Sequence, residues 1–416
     1  MTRPVIGHYG IPFPADIDGL RRAGTGFLTT AFRVSGVLPA DNAVTAIDDC
    51  TPVYGGSTGR KALLTVRYCR PEPGLPTELF AKFSRDFDDP VRDLGRTQMA
   101  AEVTLANLAL SPRFPVPVPR PQFADYHRES GTGLLITERI AFGCNGIEPQ
   151  YQKAMDYGIP DQYGHYRALL SAVAALAGTQ QSGALGTAAT ERFPFDLRGA
   201  TVGEAPPVTP EKLTRRLGRL AEFAAAQPGL LPERVRDPAF LRRLAAEAPR
   251  LMEVEQEIWA ELGARPDYIA LCHWNANVDN AWFFRDDAGE LRCGLMDWGC
   301  VGRMNVAMAI WGALCAAETS LWDAHFSDLL LLFTGEMQRH GGAALDPAEL
   351  DRLVWRYAAV MGITWLLDVP ARIRAGLGPD PGELSPRDPR IAGDESLRAP
   401  LQMLANLLNL WATRAR

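Results

Sequence analysis

The sequence predicts an α+β fold, strand-rich in its N-terminal part and mostly helical beyond it. Three observations carry this. Between residues 43 and 140, β-branched and aromatic residues gather in short runs separated by glycine and proline. From about residue 160, long Ala/Leu-rich stretches take over. Within those stretches, residues 268–297 return to two short strand patterns around the turn Asp286-Asp287-Ala288-Gly289.

Taken in order, residues 1–42 read as an N-terminal extension with a short helix near Ile17 to Ala23. Val44 to Asp49 is a short strand. The glycine stretch Tyr54-Gly55-Gly56-Ser57-Thr58-Gly59 then leads into Leu63-Leu64-Thr65-Val66-Arg67-Tyr68, another strand. Glu78 to Phe83 is a third strand and carries Lys82 near its end. Residues 95–110 form a helix with Met99, Val103, Ala106 and Leu110 on one stripe and Glu102 within it. The proline run at 114–121 is extended, because each proline pushes its predecessor out of the helical region. Leu134 to Thr137 is a buried strand, and Tyr166 to Gln180 a long helix. Asp237-Pro238 and Asp346-Pro347 are helix starts, each with a capping aspartate and a first-turn proline. Glu349 comes close to completing a capping box. Residues 371–400, rich in Pro, Gly, Arg and Asp, read as a long loop.

Composition narrows the function classes. The 416 residues suffice for two or three domain-sized units, and 47% are apolar, enough for a large core. Lys plus Arg is 43 against 49 Asp plus Glu, a net charge of −6 with no basic tract, which argues against nucleic-acid binding. Seven dispersed cysteines form no CxxC pair, so they read as reduced thiols and suggest no zinc site. The N-terminus lacks the apolar segment of a signal peptide. The longest apolar run, residues 306–317, falls short of the roughly 20 residues a membrane span needs. The expectation is a soluble, cytoplasmic protein. Nothing in the sequence indicates its oligomeric state.

The glycine stretch leads into a strand, whereas a dinucleotide-binding or Walker loop leads into a helix. The Walker spacing also fails: Gly55 and Gly59 are one residue too close, and Ala62 follows Lys61. A flap over nucleotide phosphates and a plain hairpin turn both fit. Lys82 ends an apolar strand, and a buried strand lysine needs a counter-charge such as Glu102. Both residues could equally lie on the surface.

The most informative segment runs Leu271-Cys-His-Trp-Asn-Ala-Asn-Val-Asp-Asn-Ala-Trp-Phe-Phe284, followed by Cys293-Gly-Leu-Met-Asp-Trp298. It resembles the catalytic and metal loops of the aminoglycoside phosphotransferase and choline kinase group, including its ecdysteroid-kinase-like branch. That pattern is His-Gly-Asp, four residues, Asn, a hairpin, then an apolar run and Asp-Trp or Asp-Phe. His273, Asn280 and Asp297 match the histidine, the metal-binding asparagine and the metal-binding aspartate.

The resemblance implies a protein-kinase-like, two-lobed fold, with a nucleotide-binding N-lobe over 43–140 and a helical C-lobe over 141–416. It implies ATP and Mg²⁺ as cofactors and a small-molecule hydroxyl as acceptor, held near residues 190–265 and 371–400. Gly55, Gly56, Ser57 and Gly59 would cover the phosphates, and Lys82 with Glu102 would orient them. Glu138 and Ile140 fall where a hinge would contact the base. Asn280 and Asp297 would hold magnesium, which takes oxygen ligands and keeps waters and phosphate oxygens as the rest. Trp274, Trp282 and Trp298 are expected to pack beneath these loops. Trp322, Trp355, Tyr357 and Trp365 are expected in the core, and the Glu253–Glu261 acids in solvent.

Two positions depart from that pattern. Asn275 stands where the group has its aspartate base, and an amide is no base near pH 7. The run Asn305-Val-Ala-Met-Ala-Ile-Trp311 lacks the acid that braces the catalytic loop in relatives. The alternative reading is a pseudokinase that binds nucleotide or a metabolite with little or no phosphoryl transfer.

Overall fold

A computed structural model describes residues 4–55, 58–197, 208–378 and 382–414. The fold is α+β. The chain divides into two compact units, Met1–Asn145 with Leu295–Val301, and Gly146–Gly294 with Gly302–Arg416.

In the first unit, a two-residue pairing, β1 (Val5–Ile6) with β2 (Pro12–Phe13), precedes a five-stranded antiparallel sheet. The sheet comprises β3 (Val44–Val53), β4 (Arg60–Tyr68), β5 (Glu78–Phe83), β6 (Pro121–His127) and β7 (Thr132–Glu138), in the order β3-β4-β5-β7-β6. Alternation along the strands gives it two working faces. Leu64 and Val66 of β4 and Leu79, Ala81 and Phe83 of β5 point to one face. There they bury against Leu20, Phe27, Leu28, Ala31 and Phe32.

Those last residues belong to the helix Ile17–Val34, which is much longer than the short helix expected and kinks at Gly24, where φ is 60°. The glycine hides the continuity in sequence, because it interrupts the periodic pattern. The described part of that segment, residues 4–42, thus forms a layer of the first unit's core. Their start is pinned by the buried Asp125 carboxylate, which accepts from the backbone N–H of His8 at 2.7 Å and of Tyr9 at 3.2 Å.

The opposite face carries Leu135 and Ala124, which pack on Met99, Val103 and Ala106 of the helix Met99–Leu108. Lys82 is paired in register with Leu135, so it shares this face. The strand β6 was not anticipated: Pro121 opens it, and Pro115, Pro117 and Pro119 before it mask the pattern.

The second unit is helix-rich. The largest helices are Gln162–Gln181, Pro210–Ala226, Pro238–Glu253, Thr319–Arg339, Pro347–Trp365 and Glu395–Arg414. Asp237 and Asp346 cap as expected, accepting from the N–H of Ala239 and Ala348. Glu349 does not close a capping box; it turns to Arg352 instead. Four further strands form two small pairs: β8 (Ile269–His273) with β11 (Val301–Asn305), and the hairpin β9 (Ala281–Arg285) with β10 (Leu291–Leu295).

The loop expected at 371–400 is instead largely helical, with Val369–Leu377, Pro389–Ala392 and the start of Glu395–Arg414. Asp388 and Asp394 each offer a side chain to a free N–H two residues on, and Pro389 sits in a first turn, so the same Pro/Asp content that reads as loop also starts helices. Trp274, Trp282, Trp298, Trp322 and Tyr357 are buried, whereas Trp355 and Trp365 are only partly so. Glu261 is not a free surface acid, because it pairs with Arg352 and Arg356.

Candidate active-site residues

The first unit gathers one charged cluster. Lys82 Nζ lies 2.7 Å from Glu102 Oε2 and 2.7 Å from Asp297 Oδ1. Lys82 and Glu102 are 6% and 4% exposed, whereas the Asp297 side chain is 43% exposed, so the cluster opens at the aspartate. Burial opposes charge on Lys82, but the Asp297 and Glu102 carboxylates override it and hold the ammonium above its ordinary range. Burial likewise pushes the Glu102 carboxyl up while Lys82 pulls it back.

Asp297 sits in left-handed backbone at φ 57°, followed by a short 3-10 turn, Trp298–Cys300. A non-glycine residue there is strained. The position is held by its surroundings: Leu295 N–H donates to Pro117 O, and Trp298 Nε1–H to Leu295 O.

Lys61 was not singled out from the sequence. It pairs in register with Lys82, one strand over. Burial lowers its pKa, with Asp297 pulling the other way and Lys82 adding repulsion. Strand alternation was the available signal, since Ala62, Leu64 and Val66 turn inward and leave Lys61 on the Lys82 face.

The glycine stretch connects β3 to β4. Gly56 and Ser57 lie outside the described residues. Gly59, at φ 57°, could carry no side chain, because a Cβ there would sit 1.9 Å from Phe83 O. Arg92 Nη2 donates to Gly59 O at 2.7 Å and to Gly55 O at 3.4 Å. The buried Asp86 holds Arg92 and Arg60 together at 3.1 and 2.9 Å. This strap fixes the stem of the loop. Glu138 ends β7, with its N–H on Arg120 O and its own carbonyl accepting from Thr137 Oγ1. Ile140 follows, partly buried.

The second unit holds the loop after β8. His273 is fully buried. Asn275 is partly exposed, and its Oδ1 accepts from Lys153 Nζ at 3.0 Å and from Asn277 Nδ2 at 3.0 Å. Asn277 Nδ2 also donates to Gly312 O at 3.0 Å. Asn280 Nδ2 donates to Asn275 O at 2.9 Å, which turns its Oδ1 the other way.

Bracing of the loop therefore comes from amides and from the backbone of the helix Val306–Leu314. Gly312 permits the approach, since a Cβ there would sit 1.7 Å from Trp274 O. Trp274 Nε1–H donates to Tyr357 Oη at 2.7 Å and locks the loop from beneath.

Lys153 was also missed. It lies between the strand-like and helical regions, where no periodicity marks it. Its Nζ is 3.8 Å from Asp279 Oδ2, and its backbone O accepts from Arg398 Nε at 2.9 Å. Arg398 and Ala154 both line a cavity of about 360 Å³, with Leu230, Glu318, Arg387 and Gln402. Parts of its wall come from the two segments expected to hold an acceptor.

No family model and no curated protein matches the chain. Among solved structures, it is similar to a choline/ethanolamine kinase family protein from Mesorhizobium loti, at 16% identity over 88% of this chain and 93% of that one, TM-score 0.37. It is similar to an aminoglycoside phosphotransferase from Streptomyces rimosus, at 16% identity over 76% and 93%, TM-score 0.34. A choline kinase from Cryptosporidium parvum matches at 12% identity over 78% and 84%, TM-score 0.39.

Proposed function

We propose that the chain is an ATP- and Mg²⁺-dependent phosphotransferase that moves a phosphoryl group to a hydroxyl of a small molecule. The observation that carries this is Lys82, buried between Glu102 from a neighbouring helix and Asp297 from a loop far along the chain. A lysine so desolvated is costly unless its charge is used, and this triad leaves its open side at a carboxylate.

Lys82 would bind nucleotide phosphates, oriented by Glu102, and the strapped glycine stretch would cover them. The partly exposed Asp297 carboxylate and the side-chain oxygen of Asn280, whose Nδ2 is spent on the Asn275 carbonyl, are each oxygen donors of the kind that magnesium, a hard cation, takes. Among the described residues no group of three or more His, Cys, Asp or Glu gathers to hold a metal. Bound ions would therefore rely on phosphate and water oxygens for most of their ligands. Magnesium would supply charge neutralisation on the transferring group.

For a hydroxyl acceptor, Asn275 supplies no base, and general-base assistance is typically worth about 10²–10⁴-fold. Transfer would then rest on positioning and charge neutralisation. That same observation favours a second reading, a pseudokinase that binds nucleotide without transferring phosphate.

Thermal denaturation with ATP and Mg²⁺ tests the shared premise, since a ligand of the native state raises stability by RT ln(1 + [L]/Kd). The expected result is a shift at millimolar nucleotide that is lost in Lys82→Met. No shift in the wild type overturns both readings. Turnover that vanishes in Asp297→Ala supports the transferase. Its absence in the wild type for every acceptor, with appearance in Asn275→Asp, supports the pseudokinase.

A further inference from the structure

Lys61 is the unpaired member of the charged cluster in the first unit. β4 and β5 run antiparallel, and Lys61 stands opposite Lys82 in register, so both side chains project from one face of the sheet. Lys82 Nζ gives two of its three protons to Glu102 Oε2 and Asp297 Oδ1, each at 2.7 Å. The nearby Arg92 spends its guanidinium on Asp86, Gly55 O and Gly59 O. Lys61 is half-buried, and its ammonium makes no hydrogen bond or ion pair among the described residues.

An ammonium so placed is destabilised. Burial disfavours its charge most. The Asp297 and Glu102 carboxylates attract it from outside hydrogen-bond range, while Lys82 and Arg92 repel it. Both carboxylates are already held by Lys82. What the position lacks is an anion with several acceptor oxygens, supplied from outside the chain.

Its place in the fold selects the anion. Lys61 follows Gly59 by two residues, at the root of the glycine stretch whose stem Arg92 straps. Directly opposite residues on paired strands have Cβ atoms about 4.5–5.5 Å apart, so two neighbouring phosphates of one chain can each meet a lysine. Lys82 has one proton left for such a ligand, and Lys61 has three. All of these residues belong to the first unit.

Resting on the phosphotransferase reading above, we infer that Lys61 is a second phosphate-binding cation, donating to the polyphosphate chain of the nucleotide beside Lys82. A simple solvent lysine would be indifferent to the ligand. A lysine that supports the sheet would instead be missed by the fold itself.

Calorimetry on the full chain with Mg²⁺ and either ATP or inorganic tripolyphosphate, beside thermal denaturation of the unliganded protein, separates these. Lys61→Met should weaken ATP and tripolyphosphate alike by at least about tenfold, the weight of one charge-assisted hydrogen bond. Without ligand it should melt no lower than the wild type, since it removes a buried charge and strands no partner. Lys61→Arg should recover most of the lost affinity, because a guanidinium also donates to phosphate. A wild type that binds no ATP overturns the phosphotransferase reading and the inference with it. If the wild type binds ATP, four results overturn the inference alone. Lys61→Met loses less than about tenfold in ATP affinity; it melts lower than the wild type; Lys61→Arg binds as weakly as Lys61→Met; or tripolyphosphate fails to bind the wild type or binds the Met variant equally well.

Discussion

Lys82 and Asn275 belong to different units and keep opposite company. Around Lys82 every close partner is charged: Glu102 and Asp297 at 2.7 Å, with Lys61 one strand over. Around Asn275 the partners are the side-chain amides of Asn277 and Asn280 and one lysine, and Asn277 donates in turn to the Gly312 carbonyl. The charged cluster is self-consistent, since the loss of one member leaves others uncompensated in a low-dielectric site. The amide loop is held in another way, by hydrogen bonds among neutral side-chain amides and backbone carbonyls together with one from the Lys153 ammonium.

The largest effect expected from this contrast is at Lys82. Lys82→Met strands the buried Glu102 carboxylate, and should cost about 3–5 kcal/mol in denaturant unfolding, besides abolishing the nucleotide-induced shift. Adding Glu102→Leu should return much of that stability without restoring nucleotide binding. A double variant no more stable than the single one would break the picture of a compensated pair.

Asp156, in the second unit, is the counterpart without a cation. Burial raises its carboxyl to about 7, with the hydrogen bond from Tyr166 Oη at 2.5 Å pulling the other way. Because the folded value lies above the unfolded one, near 4, the fold favours the protonated form. Its contribution is complete below pH 4 and is lost as pH rises through 7. The difference is on the order of 4 kcal/mol at one pKa unit per 1.4 kcal/mol. Unfolding free energies from pH 4 to 8 should show this decline in the wild type and a flatter profile in Asp156→Asn. Equal slopes in the two proteins would refute the assignment.

The smallest of the three effects concerns loop bracing. Alanine normally stabilises a helix interior relative to glycine by up to about 1 kcal/mol. Gly312→Ala should do the reverse and cost about 1–3 kcal/mol, because the added Cβ meets the Trp274 carbonyl. Turnover should fall along with it, as the amide loop loses its seat on Gly312 O. A stabilised variant with full activity would show that the helix does not brace the loop.

Much of the charged cluster was legible in the sequence. Lys82 on a strand, Glu102 on the following helix and Asp297 after an apolar run are each tied to a local pattern. Lys61, Lys153 and Arg92 were not, because nothing local marks a side chain whose importance comes from a partner far along the chain. The helix Ile17–Val34 was half-read for a different reason: Gly24 interrupts its pattern where the chain kinks. The helices within 371–400 were missed because proline and aspartate start helices as readily as they break them.

By itself, the sequence determined the α+β order, the capped helix starts and the identity of the groups able to carry chemistry. Those properties depend on periodicity and on residue type, which are local. Only the tertiary structure decided that the N-terminal segment is a core layer, that Lys82 is held by two carboxylates, and that Lys153 and Asn277 occupy both lone pairs of Asn275. Hydrogen-bond saturation and burial are properties of neighbours in space, and neighbours more than 100 residues apart, such as Lys153 and Asn275, leave no periodic trace.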